Sequence, residues 1–481
     1  MSDLSEYLEV LQNHLSLWGY APIDTPMLEE TELYLRKSGS EVITRLYSLT
    51  DPGGRQLSLR PEFTASVIKT YVKDYPSAPL PIRWQYSGPV FRYGSRYGPF
   101  GQSHQVGAEL IGASSPLADA EVIAAACKGL EGFGINEYEV VVGHAGLLPS
   151  LLDELRLSQR SKNLILANIQ SLQDSPEGVD RLKVLIGHSP GGQLDNLNGE
   201  NVITDEGTLA VFRKLLSGGA AGYTGSRSVE EIMNRFSEKL TAERYEDLDK
   251  AISLVAELAV VQGDRVPALR AARSIIGRYG LRDTSLPTGR ASSMDRLEGV
   301  LELLERAYAL TSIKLDLGLV RGLAYYTGPI FEVRVDTSLG FEAVCGGGRY
   351  DGLVRALGGD DVPALGFAYY IENLKDVMET KSQILDLSVD GSTQNGFQDN
   401  DLVLIVPASK DYYSTAVAEA QRRRAGDQKV RVEVVERTVE DSLNYAAASG
   451  IKKVLVVGEA GVESEHLMTV NGWSLVVRFS N

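Results

Sequence analysis

The stretch 103-SHQVGAELIG-112 decides how this chain is read. In an extended segment successive side chains alternate faces, so Gln105, Gly107 and Glu109 share one side. Val106, Ala108 and Leu110 occupy the other, which is apolar throughout. On the polar side an amide and a carboxylate flank a glycine, which leaves room above the backbone. Such a strand is either a solvent-facing sheet edge or the floor of a polar pocket, and these residues alone leave both open. Upstream, 59-LRPEFTAS-66 puts Glu62 and Thr64 on one face of an extended segment, although a carboxylate after proline can also cap a helix. Downstream, 319-LVRGLAYYTG-328 supplies Arg321, Tyr325 and Tyr326 beside a flexible glycine.

Around these stretches the chain organises into segments. Leu4, Tyr7, Leu8, Leu11 and Leu15 recur at helical spacing, predicting an amphipathic opening helix. The Pro-Gly-Gly of 51-DPGGRQLSLRPE-62 breaks the chain, and strand-rich sequence runs on to about residue 145, with a helix near 117–133. A mostly helical insertion is expected over 146–290. The first region resumes over 291–376 with a helix at 294–310, strands at 313–320 and 330–335, and a glycine-rich turn, 345-CGGGRYDGL-353. Residues 377–400, rich in Ser, Asp, Gly, Gln and Asn, read as a linker. Residues 401–481 alternate strand and helix as a small α/β domain does. The fold class predicted is α/β (α+β), with residues 1–145 and 291–376 forming one core.

Composition narrows the function. Apolar residues make up 43% and charged residues 23% of 481, the balance of a soluble globular protein. No apolar run approaches the roughly 18 residues of a membrane span, and the acidic N-terminus lacks a signal pattern. Cys127 and Cys345 have no zinc or disulfide spacing, which fits inert thiols in a reducing cytoplasm. The 48 basic residues against 64 acidic ones give a net charge of −16, a field that repels polyanions and makes tRNA an unexpected partner. Arg422, Arg423 and Arg424 read as helix-end cations rather than a nucleic-acid patch. His104 reads as a packed histidine, and His14, His144, His188 and His466 lack metal-ligand spacing, so no metal is expected. Gly346, Gly347 and Gly348 are not followed by a phosphate-binding lysine, and no cofactor is expected.

Taken together and in order, these segments resemble the class II histidyl-tRNA synthetase family over nearly the whole chain. The first motif resembles 19-GYAPIDTPMLEETELYLRKSG-39, and the second resembles 90-VFRYGSRYGPFGQSHQVGAELIG-112. The two histidine signatures resemble 321-RGLAYYTG-328 and 346-GGGRYDGL-353, and the third motif resembles 363-PALGFAYYIENL-374. The resemblance implies a class II synthetase-like antiparallel sheet domain with a helical insertion, an anticodon-binding-like C-terminal domain, and a dimer formed through the first-motif region. It also implies that Glu62, Thr64 and Gln105 hold a histidine ammonium, that Glu109 and Tyr326, with Tyr325 beside it, read the imidazole, and that Arg321 meets the carboxylate. Phe63 stands where the family has glycine.

On the nucleotide side the same resemblance runs into departures. Arg92 is kept, but Gly94 replaces an acid, Ser103 replaces the aromatic that stacks on adenine, and Tyr370 and Asn373 replace a glycine and an arginine. Asparagine offers neither the charge nor the bidentate fork of a guanidinium. Read this way, Arg92, Gly94, Ser103, Tyr370 and Asn373 mark a vestigial ATP site. The chain then resembles the regulatory subunit of ATP phosphoribosyltransferase, a synthetase paralogue. That resemblance implies a non-enzymatic partner of a short catalytic subunit in histidine biosynthesis, with histidine as feedback effector. A divergent histidyl-tRNA synthetase and a synthetase-derived tRNA sensor are the alternatives.

Overall fold

The computed structural model describes residues 4–35, 40–95, 99–174, 176–185, 245–283, 292–319, 325–338, 340–382, 402–469 and 472–478. The chain divides into two compact units. Met1–His144, Asp295–Lys314 and Arg321–Asn481 form the first, and Ala145–Met294 with Leu315–Val320 the second.

The first unit is built on a mixed sheet whose strands include β1 (Ala21–Pro22), β2 (Ile82–Phe91), β3 (Gln102–Ile111), β4 (Glu139–His144), β5 (Pro329–Thr337), β6 (Gly340–Arg349) and β7 (Ala364–Tyr370). They lie in the order β1-β2-β3-β7-β6-β5-β4. The β1–β2 pair is parallel and the others are antiparallel. The strand that carries the 103–112 stretch, β3, is hydrogen-bonded to β2 on one side and β7 on the other. It is therefore interior, and Gln105 to Ile111 are all buried. The solvent-edge alternative falls.

Helices cover this sheet. α1 (Leu4–Leu17) buries Tyr7, Leu11 and Leu15, three positions of its apolar stripe. α3 (Pro116–Lys128) starts as helices do: Ser115 caps it by accepting the Ala118 N–H, and proline occupies the first turn. α2 (Thr64–Asp74), α4 (Ser293–Arg306) and α5 (Ile371–Ser382) complete the layer that frames the site.

Two local expectations are corrected. Glu62 and Thr64 do not share an extended segment, because the chain turns into α2 at Thr64. The Glu62 carboxylate accepts the Ala65 N–H (3.1 and 3.3 Å), satisfying a first-turn donor that has no helical partner. The glycine run at the head of 345–353 forms no turn either, and only Gly352 beyond it lies in one. Gly346, Gly347 and Gly348 pair with β5 and β7 in mid-sheet, where backbones crowd and small residues fit.

The C-terminal segment forms a second sheet in the same unit. Its strands are β8 (Val403–Pro407), β9 (Val430–Val432), β10 (Lys453–Gly458), β11 (Gly461–Thr469) and β12 (Gly472–Arg478), in the order β9-β8-β10-β11-β12. The β11–β12 hairpin was not expected, although Asn471-Gly472 is a hairpin signal. Helix α6 (Tyr413–Arg424) ends on the arginine run. Arg422 and Arg423 bond Glu419, while Arg424 is buried with its guanidinium 3.8 Å over the Trp18 ring. Arg83 of β2 pairs with Glu121 at 2.8 Å, both fully buried, and also donates to the Val432 carbonyl at 3.0 Å.

The second unit is mostly helical where described, with a short strand at Gln262–Asp264. Its helices include Leu147–Asp153, Gln159–Ala167, Ile169–Asp174, Pro176–Leu185, Tyr245–Ala259 and Arg265–Arg278, around a core that includes Leu151, Ile165, Ile252 and Leu258. Among the described residues of the chain, no helix is long and apolar enough to cross a membrane. The stretch read as a linker lies mostly outside the described residues.

Candidate functional site

Glu109 on β3 is the centre of the site, with none of its surface exposed. Three hydroxyls from three different elements point at its carboxylate. Thr64, the first residue of α2, donates to Oε1 at 2.7 Å. Tyr86 of β2 donates to the same oxygen at 3.3 Å. Tyr350, which follows β6, donates to Oε2. Two glycines clear the space for this cluster. A Cβ at Gly107 would strike the Tyr86 hydroxyl, and one at Gly366 would strike the Glu109 carboxylate. The room that sequence reasoning placed above Gly107 is thus filled by Tyr86.

The electrostatics follow from burial. Removal from water raises the Glu109 pKa to about 8; the hydroxyls of Tyr350 and Thr64 oppose the shift, Glu62 adds repulsion, and Tyr86 again opposes. Glu62 is buried too, and burial raises its pKa, offset by the Ala65 N–H and by the charge of Arg92. Arg92 is held beside it, its Nε donating to the Pro61 carbonyl at 2.9 Å. Two buried carboxyl groups with raised pKa values in one cluster are a mark of a functional site rather than of simple packing.

Tyr325 packs edge-on against Tyr350, with centroids 5.5 Å apart, and Tyr326 lies half-buried against both rings. Gln105 is buried on β3, opposite Gly88 and Tyr370. The structure thus gathers Glu62, Thr64, Glu109, Tyr325 and Tyr326 with Arg92 around one cluster, with Gln105 on the same strand. Arg321 lies outside the described residues. Tyr86 and Tyr350 were missed. Tyr350 directly follows Arg349 in the glycine-rich motif, and Tyr86 lies midway between Trp84 and Gly88, so alternation and position held a signal for each.

The nucleotide-side positions are less tightly gathered. Gly94 sits in an exposed turn with φ +69°, and Ser103 is half-buried on β3 opposite Val90. Tyr370 ends β7. Asn373 on α5 is turned onto β6, its amide donating to Glu342 Oε1 at 2.5 Å and to the Ala343 carbonyl at 2.8 Å. His104 does not merely pack. Its backbone N–H donates to both Glu372 oxygens at 2.9 Å, and its Nδ1 lies 3.0 Å from one of them.

The histidyl-tRNA synthetase family model matches residues 2–180 and 207–374. This chain belongs to that family. A histidine–tRNA ligase from Pyrococcus horikoshii is 30% identical over 456 residues, spanning 95% of this chain and 87% of the relative. One from Methanocaldococcus jannaschii is 29% identical over 445 residues, spanning 92% and 85%. A solved structure described as an ATP phosphoribosyltransferase regulatory subunit/histidyl-tRNA synthetase from Bacillus halodurans superposes with a TM-score of 0.53 at 21% identity. It covers 95% of this chain and 93% of that one, and at this identity it speaks for the fold alone. The fold is the class II synthetase-like α/β fold expected from the motifs.

These matches overturn the functional expectation. Relatives matched along almost the whole chain are histidine–tRNA ligases, so the chain is not assigned as a non-enzymatic regulatory subunit, nor given a short phosphoribosyltransferase subunit as partner. Setting tRNA aside on net charge was also wrong, because an average over 481 residues says nothing of the local field where a nucleic acid would bind.

Proposed function

We propose that this chain is a histidine–tRNA ligase acting in the cytoplasm, which activates histidine with ATP and transfers it to tRNA. The observation that carries the reading is the buried Glu109 carboxyl, ringed by Thr64, Tyr86 and Tyr350 and lying next to buried Glu62. An imidazole N–H suits an acceptor already oriented by hydroxyls, and an α-ammonium suits Glu62, whose charged form it would restore. Gln105 and Tyr326 complete the amino-acid side, and Arg321 is the residue proposed for the histidine carboxylate. Arg92 is the cation retained for the nucleotide. Gly94, Ser103, Tyr370 and Asn373 leave the nucleotide weakly held, so activation is expected to be slow. Loss of one charge-stabilising contact typically lowers the rate about 100- to 1000-fold.

The test is histidine-dependent exchange of pyrophosphate into ATP, followed by charging of a histidine tRNA transcript. Slow exchange together with charging supports the proposal. Absence of both, at enzyme concentrations equal to the tRNA, sinks it.

A further inference from the structure

Beneath the Glu109 cluster lies a stack that none of the site chemistry described so far uses. The Phe63 ring lies on the Tyr86 ring with centroids 4.4 Å apart and planes 11° from parallel. On the far side of Phe63, the Arg60 guanidinium sits 3.9 Å from the ring centroid. Arg60 is itself fixed, Nε donating to the Pro89 carbonyl and Nη1 to the Thr25 carbonyl, both at 2.9 Å. Phe63 and Tyr86 are 2% and 3% exposed, and Val67 and Val90 close the cluster around them. A guanidinium over one face and a near-parallel ring on the other hold Phe63 firmly, and Phe63 fixes the plane of the Tyr86 ring. The far end of that ring is the hydroxyl that meets Glu109.

We infer that Phe63 is a positioning residue: clamped by Arg60, it holds the Tyr86 hydroxyl on Glu109 and so sets how strongly that carboxylate accepts the ligand's ring. The inference rests on the reading of this pocket as a histidine site. Phe63 touches neither the ligand nor the reacting atoms in this account; it acts through Tyr86. The groups facing Glu109 are Thr64 and Glu62 at the start of α2, Tyr86 from β2, Tyr350 after β6, and the Tyr325 ring. Only Tyr86 is addressed by the stack. A hydroxyl donated to a carboxylate favours its charged form, so losing its alignment must move the Glu109 titration to higher pH.

The experiment compares Phe63→Leu, Tyr86→Phe and the double variant in the full chain, using histidine titration calorimetry and urea unfolding from pH 5 to 9. Leucine keeps apolar bulk but cannot stack, and Phe63→Tyr serves as the conservative control. Each single variant is expected to weaken histidine binding by about 10- to 150-fold, the span of one hydrogen bond to a charged group. The double variant should be no weaker than Tyr86→Phe alone, and Phe63→Tyr should behave as wild type. The midpoint of the pH-dependent stability change should rise in both single variants. A Phe63→Leu protein with wild-type affinity and midpoint, or a double variant whose losses multiply, overturns the inference. If wild type binds no histidine, the functional reading falls while the stability midpoint still decides the role of Phe63.

Discussion

Replacing Glu109 with glutamine tests the electrostatics of the pocket at its centre. Burial is the main cause of the raised pKa, which reaches about 8 from an ordinary 4.5. In the unfolded chain the group titrates near its ordinary value, so between those limits the folded protein holds a proton that the unfolded chain has lost. The stability this contributes is fully present below about pH 4.5 and is lost as pH rises towards 8. Each pH unit in that window is worth about 1.4 kcal/mol, and the whole interval about 5 kcal/mol. Glutamine removes the titration with little change of shape. Its oxygen can accept from Thr64 and Tyr86, and its amide N–H can donate to the Tyr350 hydroxyl. The two proteins should therefore unfold at similar urea concentrations at pH 5 and diverge steadily to pH 8, the variant becoming the more stable. Glu62, also raised, titrates in both proteins, so its own burial cancels in the comparison and only its repulsion with Glu109 remains in the difference. Urea midpoints followed by circular dichroism at pH 5, 6, 7 and 8 measure the divergence. Parallel curves would mean that Glu109 is already ionised in the folded chain, and the reasoning from burial would be refuted.

Other changes probe the nucleotide side and the scaffold. Ser103→Phe restores an aromatic at the position read as the adenine platform; base stacking is worth about 1–3 kcal/mol, so the KM for ATP in pyrophosphate exchange should fall by about 5- to 100-fold. Asn373→Arg should raise the exchange rate only modestly, because Glu342, which now holds the Asn373 amide, would capture the new guanidinium; adding Glu342→Gln should release it and raise the rate further. Arg83→Met leaves Glu121 buried without its partner and should cost about 3–5 kcal/mol in urea unfolding, whereas Arg83→Met with Glu121→Leu should recover most of the loss.

Much of this architecture was legible in the sequence. The 103–112 alternation gives the polar and apolar faces of β3, and the stripe at Tyr7, Leu11 and Leu15 gives α1. What alternation could not give was which strands flank β3, since pairing joins residues far apart in the chain: Glu109 lies opposite Trp84 and Gly366. Local signals misled where tertiary contacts decide. Gly346 to Gly348 read as a breaker, yet they pair on both sides in mid-sheet. The Pro61-Glu62 step allowed both an extended reading and a cap, and the Ala65 N–H, which has no partner within the helix, selects the cap. In the site, Glu109 was legible through the family resemblance, since alternation alone left a solvent edge open and the interior position of β3 came only with its strand partners. Two of its three hydroxyl partners, Tyr86 and Tyr350, lie 23 and 241 positions away, so local position can mark each as a candidate but only the fold pairs it with Glu109. The nucleotide side was read from substitutions alone, and substitutions in four positions cannot outweigh a family match over residues 2–180 and 207–374.

Helix α3 ties the pocket to the C-terminal sheet through two buried acids. Asp119 and Glu121 stand two residues apart, about 200° around a helix, and so face opposite ways. Asp119 accepts Arg349 Nε at 2.8 Å and Arg296 Nε at 2.9 Å. Arg349 also reaches the Ala113 carbonyl and Asp351 at 2.9 Å each, and its own carbonyl accepts the Thr327 N–H at 2.8 Å. That set fixes the end of β6, from which Tyr350 reaches Glu109, and the turn that follows Tyr325 and Tyr326. On the other side Glu121 holds Arg83, which grips the Val432 carbonyl of β9. A buried pair is a poor source of net stability compared with apolar packing, but it is strongly directional. One rigid helix therefore fixes the walls of the amino-acid pocket and the seat of the C-terminal sheet in a single frame. A residue exchanged on either face of α3 is expected to be felt first as lost geometry at Tyr350 or at β9, and only then as lost stability.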